Sequence, residues 1–492
     1  MTDTAPITLP REVAPAANAN TDARDRLVIR LLLVSAFVVI LNETIMGVAL
    51  PALMDDLSIT AVAAQWLTTA FMLTMAVVIP ITGFLLQRFH TRPVFITAMS
   101  LFSTGTLIAA VSPGFEMLLV GRVVQACGTA IMMPLLMTTV MTLVAPAARG
   151  RTMGNISIVI SVAPAIGPTI SGIILSVLDW RWMFILVLPI ALGSLALGAA
   201  RVQNVTSPRV THFDVFSVVL SAFGFGGLIF GLSNLGEGAG TVNPWIPLSV
   251  GALALAGFVL RQLRLQRSDS ALLDLRTFTS RTFTFSIVML AISMMALFGT
   301  IILLPIYMQT VLGLEALTAG LLLLPGGLTM GLLAPFVGRL FDRHGPTTLL
   351  VLGSTIVSVV FWSMTMLDEN SSFWMVLAAH VALSVGLALL FTPLFTAGLA
   401  SLRPQLYSHG SAIVGTVQQV AGAAGTALFV TVMSSQAIIL GASGVSETVA
   451  TASGIQTAFL YGAIISLFAI PAAFFIRRST DAVAADAMPA GH

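Results

Sequence analysis

Apolar stretches of membrane-crossing length recur along almost the whole sequence, broken at near-regular intervals by Gly, Pro, Arg and acidic residues. A helix needs about 20 mostly apolar residues to cross the hydrocarbon core, and the breaks fall at close to that spacing. Fourteen such stretches run between 28–50 and 456–476. Composition agrees: of 492 residues 57% are hydrophobic and 9% charged, and mean hydropathy is +1.00. Soluble domains carry roughly a quarter charged residues. The sequence therefore predicts an all-α membrane protein with 14 transmembrane helices.

All 22 basic residues are arginine. Without lysine the chain has neither a phosphate-cradling G-x-x-x-x-G-K-[ST] loop nor a Schiff-base amine, which excludes ATP-driven pumping by this chain and aldimine chemistry. The one cysteine, Cys127, cannot form an internal disulfide and reads as a small packed hydrophobe. Residues 1–27 are rich in Ala, Pro, Asn and Asp and lack the apolar core of a signal peptide, so they read as a disordered tail. No connecting loop is long enough to fold as a domain, and any function must lie within the helices.

Arginine placement gives the orientation, because basic residues near helix ends stay in the cytoplasm. Alternate loops hold Arg88 and Arg92, Arg149 and Arg151, Arg201 and Arg209, a run from Arg261 to Arg281, Arg339 and Arg343, Arg403, and Arg477 and Arg478. The opposite loops hold Asp55, Asp56, Glu237, Glu315, Asp368, Glu369 and Glu447, with Arg181 the basic exception. Both termini are expected in the cytoplasm.

An internal echo organises the helices. The segment Gly83–Arg92 after the second helix resembles Gly338–Gly345 after the tenth, each following the second helix of a six-helix block. This implies a cytoplasmic tail (1–27), an N-terminal six-helix bundle (28–200), a linker with two extra helices (201–281), a C-terminal six-helix bundle (282–478) and a second tail (479–492). Transporters built from repeats place the substrate near the midplane, where the repeats meet.

Two charged residues sit in mid-helix, Glu43 and Arg122, each costing about 2.5–3.5 kcal/mol at a bilayer centre. Desolvation penalises the charged carboxylate and brings proton exchange at Glu43 into a range a cell can use. Glu43 fits either a proton carrier that also attracts cationic substrates when ionised, or a structural pin, paired with Arg122 or hydrogen-bonded. Arg122 fits either a brace or a coupling group, and Gln125 shares its helix face. His380 fits either a neutral hydrogen-bonded residue or a second proton site. Gln418 and Gln419 fit a ligand contact or a helix contact. The fifth helix carries Pro164, Gly167, Pro168 and Gly172, suited either to a hinge or to a tight crossing. Trp180 and Trp182 read as an interfacial anchor. No convergent His, Asp or Glu constellation suggests an enzyme, and nothing suggests a metal or nucleic acid.

These motifs resemble those of the fourteen-helix drug:proton antiporters of the major facilitator superfamily, in particular the lincomycin-resistance type. The resemblance covers about residues 28–478 and rests on Leu41–Pro51, the Arg122 segment, the signature around Gly154, Gly167, Pro168 and Gly172, the Trp180–Trp182 corner and the stretch from His409 to Gly425. It implies two six-helix bundles that rock about a central site in a bacterial cytoplasmic membrane. It also implies drug exit against inward proton flow through Glu43, with no cofactor beyond the proton gradient, and a monomer is the default. Asn42, Met46, Gln125, His380, Gln418 and Gln419 become candidate substrate contacts. Gly83, Arg88, Arg92, Gly154, Pro164, Gly167, Pro168, Gly172, Gly338, Asp342 and Arg343 become conformational motifs. The chain departs from the pattern at Glu43 (usually Asp), Gly47 and Gly415 (usually Asn), Gln87, His90 and Ala163. The missing asparagines leave room for a dedicated exporter of one metabolite or envelope lipid precursor.

Overall fold

A computed structural model describes residues 19–205, 208, 213–236 and 243–477. Arg11, Arg209, Glu237, Arg478 and the second tail lie outside the described residues. Fourteen helices are long and apolar enough to cross a membrane. They are α1 (Ala19–Leu57), α2 (Ala61–Arg88), α3 (Thr91–Ala110), α4 (Phe115–Leu143), α5 (Arg149–Val177), α6 (Arg181–Arg201) and α7 (Val215–Gly236). The second seven are α8 (Trp245–Leu265), α9 (Arg281–Ile306), α10 (Ala316–His344), α11 (Thr347–Met364), α12 (Phe373–Ala400), α13 (Tyr407–Ala442) and α14 (Glu447–Leu467). The first helix begins at Ala19, so residues 19–27, expected in the tail, are helical: no Gly or Pro interrupts the polar run ahead of the apolar one.

Helices α1–α6 pack as one bundle and α9–α14 as another, while α7 and α8 form a hairpin whose α7 touches both α2 and α13. Close approach within the first bundle depends on small residues. A Cβ on Gly121 would lie 2.9 Å from the backbone of Ala109, so α3 and α4 pack backbone to backbone.

The bundles meet across two seams, α2 with α13 and α5 with α10. Hydrogen bonds across the seams, among the described residues, fall at the end carrying the termini or at the centre. Asp342 of α10 accepts from the backbone N–H groups of Gly150 (2.8 Å) and Arg151 (2.9 Å), capping the start of α5. Such a carboxylate satisfies donors that the first turn leaves open and complements the helix dipole. The Gln87 side chain lies 2.6 Å from His409 Nε2 and donates to the Gln405 carbonyl, and Thr138 donates to Ser411. Nearer the centre Thr392 donates to Ser157 (2.8 Å). The terminal end is thus closed.

The Trp180–Trp182 corner differs from its expected role. Trp180 is 2% exposed, so it packs inside the protein rather than facing lipid. Its indole N–H and the Arg181 guanidinium both donate to Asp56 at the end of α1, at 2.9 and 3.1 Å, and Arg181 also reaches the Ser112 carbonyl. These bonds hold the Asp56 carboxyl below its ordinary range, the indole's being the larger effect. The corner ties three helix ends together, and only Trp182, 37% exposed, faces outward.

Candidate functional site

The centre of the first bundle holds a polar network in an apolar core. Arg122 is fully buried on α4, and one terminal nitrogen donates to Gln125 Oε1 (2.6 Å) and Asn42 Oδ1 (3.3 Å). Gln125 uses its amide to donate to Thr106 on α3 (2.8 Å), whose hydroxyl is anchored to the Phe102 carbonyl. The guanidinium lies over the Phe71 ring of α2, 4.0 Å from its centre, a cation–π contact in a desolvated setting. Four helices thus converge on one cation. The Nε and second terminal nitrogen of Arg122 have no hydrogen-bond partner among the described residues.

Glu43 is half-buried on α1, one residue beyond Asn42. It forms no ion pair among the described residues, so the paired-pin arrangement with Arg122 is not the one seen, although the two charges act on each other through space. Next to it, Thr44 donates to the Leu41 carbonyl (3.0 Å) and to the Ala163 carbonyl of α5 (3.4 Å). Gly167 packs on Thr44 so closely that a Cβ would lie 3.0 Å from the threonine Cβ. The acid-bearing turn of α1 is therefore fixed directly to α5.

The other residues singled out from the sequence separate into groups. Asn42, Met46 and Gln125 are at most 2% exposed and engaged inside the first bundle. His380 is 8% exposed; its Nε2 meets the Leu323 carbonyl of α10 (3.1 Å), while Nδ1 has no hydrogen-bond partner among the described residues. Only Gln418 and Gln419 are half-buried near the bundle interface, where Gln419 donates to the Met75 sulfur at 3.8 Å. Gly83 packs against His409, with a Cβ there 3.1 Å from Nδ1, and Gly154 and Gly338 pack across the α5–α10 seam. Pro164 and Pro168 lie within a continuous α5. Among the described residues, a Cβ on Gly172 would meet nothing within 4 Å. Arg88 is half-buried and Arg92 and Arg343 are exposed; the Arg92 backbone N–H donates to Asn204.

Sequence reasoning missed Thr106, Phe71, Gln262 and the Gln87–His409 contact. Gln262 is fully buried on α8; it donates to Ser217 of α7 (2.7 Å) and accepts from Leu272 N–H (2.8 Å) and Leu273 N–H (3.2 Å). Gln262 lies between Arg261 and Arg264 at the polar end of α8, so nothing in the sequence set it apart from a solvated side chain.

Fourteen membrane-length helices in two bundles, with a buried polar network inside the first, are the build of a membrane transporter, and residues 32–426 match the Major Facilitator Superfamily, to which this chain belongs. It is 41% identical over 453 residues to the Lincomycin resistance protein LmrB of Listeria monocytogenes, covering 91% of this chain and 96% of that one. It is also 41% identical over 455 residues to the uncharacterized MFS-type transporter YcnB of Bacillus subtilis, covering 92% and 95%. In fold it is similar to the human organic anion transporter MFSD10 (TETRAN), with a TM-score of 0.65 at 14% identity, covering 91% and 99%.

Proposed function

We propose that this protein exports lipophilic cationic or neutral drugs from the bacterial cytoplasm in exchange for protons, as a monomer with both termini inside. The observation that carries this reading is Glu43: a half-buried carboxyl without an ion pair, one residue from a ligand of the fully buried Arg122. A carboxyl so placed can take up and give back a proton, and its charge bears on Arg122 and, through Thr44, on α5. The Lincomycin resistance name of a relative supports the drug as cargo. Each proton entering supplies about 2.3 kcal/mol per 100 mV of potential and about 1.4 kcal/mol per pH unit.

The test is proton release on adding candidate drugs to purified protein in weakly buffered detergent, with Glu43→Gln as comparison. Release in the wild type that vanishes in the variant supports exchange at this carboxyl. Equal release in both removes Glu43 from coupling and moves attention to His380. Absence of binding by any common drug favours a dedicated metabolite or lipid-precursor exporter. One carboxyl also implies about one proton per cycle and poor transport of divalent dyes, because a second desolvated charge lacks a partner; equal transport of divalent and monovalent dyes would contradict this.

A further inference from the structure

Arg122 has buried donors with nothing to donate to and, once Glu43 holds a proton, a charge with nothing to balance it. We propose that this arginine binds a chloride ion, at a site shared with the Thr68 hydroxyl of α2 and filled when Glu43 is neutral. The export reading enters only in saying when Glu43 becomes neutral; the site itself stands on the surroundings of Arg122. One terminal nitrogen serves Gln125 and Asn42, but Nε and the other terminal nitrogen, with most of the N–H groups, have no hydrogen-bond partner among the described residues. The two amides are neutral acceptors and leave the charge as it is. Of the carboxylates on α1–α4, Asp22, Asp25, Asp55, Asp56 and Glu116 lie near helix ends, so Glu43 is the one within reach of the network. A buried cation needs a counter-charge, and here it is Glu43 or a ligand.

Thr68 supplies a second, independent observation. It lies one turn before Phe71, whose ring covers the guanidinium, and so shares its helix face. Thr68 and Arg122 each stand seven residues in from the start of their helices, Ala61 and Phe115, which begin at the same end of the bundle. The Thr68 hydroxyl is buried and has no hydrogen-bond partner among the described residues. Threonines in membrane helices ordinarily donate to the carbonyl four residues back, as Thr74, Thr106, Thr129 and Thr142 do. Guanidinium N–H groups and a hydroxyl together call for an acceptor. Around them Phe71 packs with Met75, Ile79, Ala126 and Ala130, which offer no donors for the several oxygens of a phosphate or sulfate. A spherical monovalent anion balances one guanidinium; water would satisfy the donors and leave the charge. Ionised Glu43 and chloride compete for the same cation, so proton and chloride binding reinforce each other by one common factor. The protonated carrier then moves with its buried charge balanced.

The test is thermal unfolding of the purified full-length protein in detergent at pH 8, with sodium gluconate replaced stepwise by sodium chloride at constant ionic strength. Glu43→Gln fixes position 43 in the neutral state, and its unfolding temperature should rise with chloride along a saturating curve, as binding to the folded protein requires. Wild type should need more chloride for half the effect. Thr68→Val should raise the half-saturating concentration about three- to tenfold in the Glu43→Gln background, the worth of one hydrogen bond. Gln125→Glu builds a carboxylate against Arg122 and should remove the response. No saturating rise in Glu43→Gln, an equal rise in Gln125→Glu, or an unchanged half-saturation with Thr68→Val overturns the proposal. Neither drug nor proton release is read, so a failed export assay leaves the chloride site standing, and a missing chloride response leaves the export reading standing.

Discussion

At the residue scale the decisive contrast is between two buried amides and one carboxyl. Asn42 and Gln125 accept from Arg122 without neutralising it, so the guanidinium keeps a positive charge and two free donors beside Glu43. Gln125→Leu deletes the shorter of these bonds and leaves a buried cation under-satisfied, at a cost of about 1.5–3 kcal/mol. The thermal unfolding temperature in detergent should fall. Gln125→Glu makes the opposite change: it places an anion against Arg122, keeps the protein stable, and should abolish drug-induced proton release by supplying a rival carboxylate. Loss of stability in both variants, with proton release intact in Gln125→Glu, would leave the network a purely structural one. Glu43, Arg122 and Gln125 were legible because charged and amide side chains in apolar runs are rare and demand partners. Phe71 and Thr106 were not, since a phenylalanine or threonine in a membrane helix looks the same whether it faces a guanidinium or a lipid.

At the element scale the α7–α8 hairpin shows where sequence stops. Its two spans were visible as apolar runs, but their position across the α2–α13 seam depends on ring contacts and hydrogen bonds among residues far apart in the chain. Its strongest tie lies just outside the membrane segment, at Asp214. Hydrogen bonds from Arg261, with a smaller contribution from Ser217, outweigh partial burial and hold this carboxyl down to about 2. A depressed carboxyl stabilises the folded state above its unfolded value, and the contribution disappears as pH falls through the folded value. The window is therefore from about pH 4 down to about 2. Because Arg261 is 37% exposed, solvent screening reduces the contribution to about 1 kcal/mol. Asp214→Asn should make the α7–α8 loops more sensitive to protease at pH 7, and this difference from wild type should shrink below about pH 4 and vanish below about pH 2. A constant difference across that range would assign the effect to lost packing instead.

At the scale of the whole molecule, the fourteen helices and the repeat were readable because lipid leaves the backbone so few solutions, whereas the conformation that the bundles adopt was not. Both arrangements of a rocking transporter bury the same glycine faces, so no pattern in the sequence favours one. What selects the closed terminal end here is the Asp342 cap on Gly150 and Arg151 together with glycines that let α5 and α10 touch. Asp342→Asn retains one acceptor oxygen but loses the charge, weakening bonds that are about twice as strong when ionised. A loss of about 1.4 kcal/mol shifts the balance between closed and open tenfold. Met141, fully buried beside the terminal-side cavity of about 380 Å³, reports that opening. In a Cys127→Ser, Met141→Cys background, Asp342→Asn should raise the rate of labelling by a water-soluble thiol reagent about tenfold. Proton release at Glu43 should survive, because the carboxyl and the Arg122 network are untouched. An unchanged labelling rate would mean that the glycine contacts alone hold the terminal end shut, and Gly338→Ala, which drives a methyl into the Arg151 backbone, would then be the variant that opens it.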